Sequence, residues 1–284
     1  MNKMQPMKIS APSLPATSPS ASTADSANAA KAAVRGFAFK APLRSIFFVV
    51  VLLVASLCHR RLGFMVRLFE ILIGKSRVGN AEAIPATGSF VLAVNHFHGS
   101  WTPYVASAVI SAVGTVRPDA INSTAMVIGR RADSGKKRPL IARCVRSMVQ
   151  WILDRWNYNL LTIPLGNQTV GIDSLRTWRR QAKMRPTLVF PEGMASVTFE
   201  RIRTGSGTFL RALDVPCIPC AVWWHAGKWN VTFGDPIDWS ANTELSDLQV
   251  GLSIARMLPE ELAPTWVPLL ERWRRAHNVS PQTA

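Results

Sequence analysis

Two apolar, strand-like runs each end in a side chain able to move or hold a proton. "SFVLAV" leads into Asn95-His96, and "TLVF" leads into Pro191-Glu192-Gly193. An imidazole at the mouth of a buried strand is well placed to act as a general base. In the second run Pro191 stops the strand, Glu192 is delivered to the sheet edge, and Gly193 lets the backbone turn tightly. Taken singly, His96 reads as a hydrogen-bonded core histidine and Glu192 as a helix-capping carboxylate. Their joint occurrence at strand ends strengthens the catalytic reading. A basic histidine usually leans on a carboxylate, and "VNHFHGSWTPY" contains no Asp or Glu. His98 is a second candidate base, ranked below His96.

The elements that must position these residues alternate from Gly88 onward. "SFVLAV", "TAMVIG", "YNLLTIPL", "TLVF", "VPCIPCAVWW" and "WNVTFG" read as strands. Tyr104 to Val113, Arg138 to Trp156, Val170 to Lys183 and Gly205 to Leu213 read as the helices between them, with two more near Asp247 to Leu258 and Trp266 to Ala276. Strands alternating with helices predict an α/β fold whose largely parallel central sheet is flanked by helices. Function in such folds gathers where strands end and loops begin.

The 284-residue chain carries 33 Lys and Arg against 17 Asp and Glu, a formal net charge of +16. That balance favours an anionic partner. Ten tryptophans and a positive mean hydropathy turn the reading from nucleic acid toward anionic membrane lipids. Residues 1–40 are rich in Ser, Ala and Pro and read as a disordered tail, although the same composition fits an organelle transit peptide. "SIFFVVVLLVASLC", Ser45 to Cys58, would span about 21 Å as a helix, short of the roughly 30 Å of a bilayer's hydrocarbon core. His59-Arg60-Arg61 interrupts it and "LGFMVRLFEILIG" follows, with Arg67 and Glu70 three apart on one helix face. Residues 41–76 are therefore expected to form a membrane-associated helical hairpin dipped into one leaflet at the cytoplasmic face. A tilted single span and a buried core helix are the alternatives. Residues 77–284 are expected to form the α/β domain.

The blocks around these residues resemble the glycerolipid acyltransferase superfamily, typified by 1-acylglycerol-3-phosphate acyltransferases. Asn95-His96 matches its Asn-His block, "LLTIPLG" at 160 to 166 its second block, and "FPEGMAS" at 190 to 196 its Phe-Pro-Glu-Gly-Thr-Arg-Ser block. "VPCIPCAV" at 215 to 222 is similar to its fourth block, and "VTFGDPI" to a later strand. The resemblance runs from about residue 45 to 240. It implies transfer of a fatty acyl group from acyl-CoA or acyl carrier protein to a glycerolipid or lysophospholipid hydroxyl, with no further cofactor and no metal. His96 would be the general base, Asn95, Glu192 and Gly193 would position the acceptor, and Pro219 would line the acyl or acceptor channel.

The departures are specific. The family has an Asp five positions after the His, where Trp101 stands here; a loop longer by one residue would put Thr102-Pro103 at the Asp-Pro place. Thr102 could hold the imidazole tautomer but supplies no charge. Leu165 and Ala195 occupy the places of two phosphate-gripping arginines, and Arg201 and Arg203, or Arg130 and Arg131, are the substitutes on offer. These losses fit either an acyltransferase whose acceptor lacks a phosphomonoester or a degenerate member that binds lipid without transferring acyl groups. Cys217-Ile-Pro-Cys220, with His225 nearby, makes a poor metal motif, because strand residues three apart face opposite ways and no second such pair exists. The basic clusters Arg130 to Arg138 and Arg176 to Lys183 carry no zinc-finger, RNP or helix-turn-helix signature, so no nucleic-acid partner is expected.

Overall fold

The structure is a computed structural model that describes residues 34–39, 50, 54, 62–97, 102–131, 147, 160–165 and 172–278. Its elements run α1 (Leu62–Ile73), β1 (Arg77–Gly79), β2 (Val91–Val94), α2 (Thr102–Gly114), a short α3 (Ala120–Ser123), β3 (Ala125–Arg131) and β4 (Leu160–Leu165). After these come α4 (Ile172–Met184), β5 (Thr187–Val189), α5 (Ser206–Ala212), β6 (Cys217–His225), β7 (Lys228–Phe233), α6 (Ser246–Ala255) and α7 (Val267–His277). They build a seven-stranded sheet in the order β1-β7-β6-β2-β5-β3-β4. The five strands from β6 to β4 are mutually parallel; β7 runs antiparallel to β6, and β1 runs parallel to β7. The expected α/β architecture with a mostly parallel sheet is present.

Local chemistry accounts for these elements. All four residues of β2 are buried, as a central parallel strand covered on both faces requires. The β6–β7 hairpin turns on Ala226-Gly227, both at positive φ (48° and 74°), the conformation that suits a two-residue loop to the strand twist. Pro219 lies in a buried strand, where its missing N–H would ordinarily break a ladder. It sits just beyond the last β6–β7 pair, Cys220 with Phe233, and its carbonyl still accepts from Gly234 N at 2.8 Å. Helix α2 starts with Thr102-Pro103, proline being tolerated in a first turn. Its residues Tyr104 to Val113 are all buried.

Of the hairpin expected at residues 41–76, the described part, apart from Val50 and Val54, begins at Leu62. Leu62–Ile73, the expected second arm, is a helix of the α/β body. Leu62 and Val66 pack with Ile110 of α2, while Met65, Phe69 and Ile73 belong to the main core. Arg77–Gly79, too short to show a strand pattern, adds an edge to the sheet by pairing with β7. Within the segment read as a tail, Phe39 is 5% exposed and packs against Tyr104, Trp224 and Trp229, with ring centroids 4.8 to 5.3 Å apart. Val50 and Val54 are helical and exposed. The remainder of Ser45 to Cys58 lies outside the described residues, as does nearly all of the helix expected at Arg138 to Trp156. Among the described residues no helix is long and apolar enough to cross a membrane.

Candidate active site

Strand register brings the two signature residues together. Ala93 of β2 pairs with Val189 of β5 in parallel. Three residues further along each segment stand His96 and Glu192, which therefore emerge at the carboxyl ends of adjacent strands. The loops then fasten to one another. The His96 backbone N–H donates to Glu192 Oε1, Ser196 N donates to the His96 carbonyl at 3.2 Å, and Phe97 bridges to Ser196. Glu192 thus grips the main chain of His96 rather than its ring. These contacts give it a role in positioning His96.

The imidazole is half-buried, its face stacked on Phe190 at a centroid distance of 4.3 Å. Nε2 lies 2.8 Å from Thr102 Oγ1, so the residue at the displaced Asp-Pro place is the ring's partner. Nδ1 is buried and has no hydrogen-bond partner among the described residues. A buried N–H left unpaired costs more than an idle lone pair on the same atom. The arrangement therefore favours the tautomer in which Nε2–H donates to Thr102 and Nδ1 keeps a lone pair free. Burial lowers the histidine from 6.5 to about 4, which keeps the ring neutral at physiological pH. A neutral imidazole with an uncommitted lone pair has the protonation state of a general base, although a weak one, and its buried Nδ1 meets a hydroxyl only when the side chains around it move aside.

Glu192 is shaped by the same burial, which pushes its carboxyl from 4.5 up to about 7 against the lowering effect of the His96 N–H and the Ser196 hydroxyl. Ser196 Oγ lies 2.8 Å from Glu192 Oε2 and 2.5 Å from the Thr198 carbonyl. Its one hydroxyl proton can serve only one of these contacts fully. Because a carbonyl can only accept, a proton on Glu192 satisfies both at once. Glutamine should then replace Glu192 faithfully: its carbonyl accepts from His96 N–H and its amide donates to Ser196.

That substitution has a pH signature. The folded pKa of Glu192 lies above its ordinary value, so its stabilising proton is held fully below about pH 4.5 and lost as pH rises through about 7. Glu192→Gln lacks this decline and is expected to exceed the parent in unfolding free energy at pH 8 by on the order of 3 kcal/mol, with near parity at about pH 4. His96 slopes the opposite way, losing stability as pH falls from 6.5 toward 4, and this contribution cancels between the two proteins. Denaturant titrations at the two pH values check the prediction. A variant weaker than the parent at the higher pH would mean that the carboxylate is required in ionised form.

Asn95 has both ends of its amide engaged inside the protein. It is 3% exposed, its amide N donates to the Val222 carbonyl at 2.9 Å, and its Oδ1 accepts from Val222 N at 2.7 Å. The side chain stands in for a strand residue and ties the end of β2 to β6. Through that tie it positions His96. Asn95→Ala would strand both Val222 groups and is expected to lower unfolding free energy by about 2–4 kcal/mol. A loss under about 1 kcal/mol in a denaturant titration would show that the pairing is dispensable.

The remaining expected residues are placed as follows. Gly193 has φ +70°, which demands glycine, and the Arg203 stem lies against it. Arg203 is exposed, and its backbone N–H donates to the Pro191 carbonyl at 3.0 Å. Arg201 is exposed two residues before it. Asp247 holds the following turn by accepting from Gly205 N and Gly207 N at 2.8 and 2.6 Å. Pro219 is opposite Ala93 in the β2–β6 register, three residues short of the His96 level. His98 and Trp101 lie outside the described residues. Arg130 and Arg131 end β3, one strand beyond β5.

Ser196 and Phe190 are site residues that the motifs alone do not assign. The available signal for Ser196 is its spacing, four residues after Glu192 across a glycine turn. Cys217 and Cys220 are buried and form no disulfide among the described residues; burial in an apolar strand pushes both thiols upward, Cys217 to about 12. Neither is a thiolate. Among the described residues no group of three or more His, Cys, Asp or Glu side chains could hold a metal ion. Of the second basic cluster, Arg179 and Lys183 face Asp214 at 3.7 and 2.8 Å. The chain matches no protein-family model and no curated protein.

Proposed function

We propose that this protein is a membrane-associated O-acyltransferase that moves a fatty acyl group from an acyl thioester to the hydroxyl of a glycerolipid or lysophospholipid. The observation that carries this reading is the neutral imidazole of His96 at the end of a central strand, beside Glu192, with a buried and unpartnered Nδ1. In the reaction the acceptor hydroxyl gives its proton to Nδ1 as its oxygen attacks the thioester carbonyl. The tetrahedral intermediate collapses with cleavage of the C–S bond, and the imidazolium returns the proton to the departing thiolate. No nucleophilic Ser or Cys takes part. Arg201 and Arg203, beside the Glu192 turn, supply positive charge for the phosphates of CoA or the acidic surface of a carrier protein. The apolar run at Ser45 to Cys58 and the net charge of +16 suit monotopic attachment to an anionic leaflet.

A second reading, a lipid-binding member without transferase activity, is favoured by one observation: the imidazole meets a hydroxyl and, among the described residues, no carboxylate, and its basicity is low. The full-length protein, reconstituted in vesicles and given radiolabelled acyl-CoA or acyl carrier protein with a panel of lysolipids and lipid alcohols, decides between them. Labelled product lipid above the protein-free rate is expected. Lipid binding without product from either donor would replace the transferase with the binding protein.

A further inference from the structure

Away from His96, α1 and the last turns of α2 enclose a cleft of about 550 Å³. Ser111 is nine residues beyond Thr102 on α2, so the cleft lies roughly 13 Å along the helix from the imidazole's partner. Its polar wall holds Arg67, Glu70, Lys75, Ser111 and Thr115. Glu70 Oε1 accepts from Ser111 Oγ at 2.5 Å, leaving the second carboxylate oxygen open to another donor. Arg67 and Lys75 make no ion pair among the described residues, although Glu70 is about one helical turn from Arg67. Close approach keeps the walls in place. Gly63 N donates to Asn122 Oδ1 at 2.8 Å, and a Cβ on Gly114 would come within 2.5 Å of Ile121.

Arg67 and Glu70 on one face of α1, with Lys75 just past its C-terminal end, set two cations that form no ion pair among the described residues beside a half-used carboxylate, and together they complement a ligand bearing both signs of charge. We propose that this cleft binds the headgroup of a primary-amine phospholipid, its ammonium on Glu70 and its phosphate between Arg67 and Lys75. One turn of helix, about 5.4 Å, suits an ammonium and a phosphate joined by two carbons. A phosphate alone would meet the Glu70 carboxylate, and a quaternary ammonium has no proton to donate to it. The lipid source, rather than free phosphoethanolamine, follows from the rim. Phe64, which also lines the cleft, and Ile71 are 44% and 76% exposed and lie seven residues apart on the same helix stripe, offering apolar surface to acyl chains. The site is independent of the acyl-transfer reading and stands or falls without it.

Native mass spectrometry of the full chain, released from nanodiscs of equal phosphatidylethanolamine, phosphatidylcholine and phosphatidylglycerol, tests the site. The ethanolamine lipid is expected to be retained at least about ten-fold over the choline lipid, the scale of one hydrogen bond to a charged group. Glu70→Gln still accepts from Ser111 and should keep the parent's melting temperature, yet bring that ratio to parity. The Arg67→Ala, Lys75→Ala double variant should lose both zwitterionic lipids. A ratio near one in the parent, or one unchanged in Glu70→Gln, overturns the proposal. So does protection by free phosphoethanolamine at millimolar concentration without lipid preference, which would make the ligand a soluble one.

Discussion

Replacing His96 with alanine is expected to lower acyl transfer by about 10²–10⁴-fold, the usual contribution of a positioned general base. The variant loses the contact with Thr102 and the stack on Phe190. The bonds that shape the site run through the His96 main chain to Glu192 and Ser196, and alanine keeps them. Lipid binding and melting temperature should therefore change little while turnover collapses. Undiminished turnover would remove His96 from the chemistry altogether. The parent's pH profile carries an independent mark. A ring with pKa about 4 stays neutral around neutrality, so the imidazole imposes no inflection near its ordinary 6.5, and its loss of rate begins only well into the acid range. An inflection near 7 belongs to Glu192 and should vanish in Glu192→Gln.

The contrast between backbone and ring bonds also explains how far the sequence could be read. Continuous apolar runs are enough for β2, β5 and most of β6, because a strand buried on both faces has few other ways to look, and the alternation of Trp229, Val231 and Phe233 marks β7. The partnership of His96 with Glu192 follows from register, and register is set by the pairing of Ala93 with Val189, which neither segment states alone. Asn95 illustrates the limit. A polar residue at a strand end looks the same whether it faces a substrate or, as here, completes a ladder with Val222. The apolar face of α1 is ambiguous for a similar reason: an alkyl stripe suits a bilayer and a protein core equally, and the core takes Met65 and Phe69. Phe39 is beyond the reach of local pattern. Its short flanks show no strand or helix period, and it binds in an aromatic cluster assembled from α2, β6 and β7.

Thr102→Asp is expected to raise acyl transfer about ten- to a hundredfold, through the charge that an orienting carboxylate supplies to a histidine base. The threonine hydroxyl fixes the ring through Nε2 but offers no charge to the imidazolium that forms as the acceptor hydroxyl is deprotonated. A carboxylate beside a titrating partner moves it by about 1–3 pH units. Such a shift would lift His96 from about 4 toward the range where a base works efficiently near neutrality. Loss of the orienting acid costs about 10⁴-fold in a serine-protease triad; the gain here is smaller because the loop is not shaped around a charged side chain. Helix geometry permits the change, since residue 102 opens α2, where an acidic side chain meets the positive end of the helix dipole. The variant's pH profile should show its acidic limb displaced upward by the same about 1–3 pH units. Combining it with His96→Ala should erase the gain, because the two substitutions act through one hydrogen bond. A gain that survives without the imidazole would place the new carboxylate on the substrate itself. With no gain, and no activity in the parent, the contact of His96 with Thr102 serves only to hold β2 beside α2, and the lipid-binding reading takes the place of the transferase.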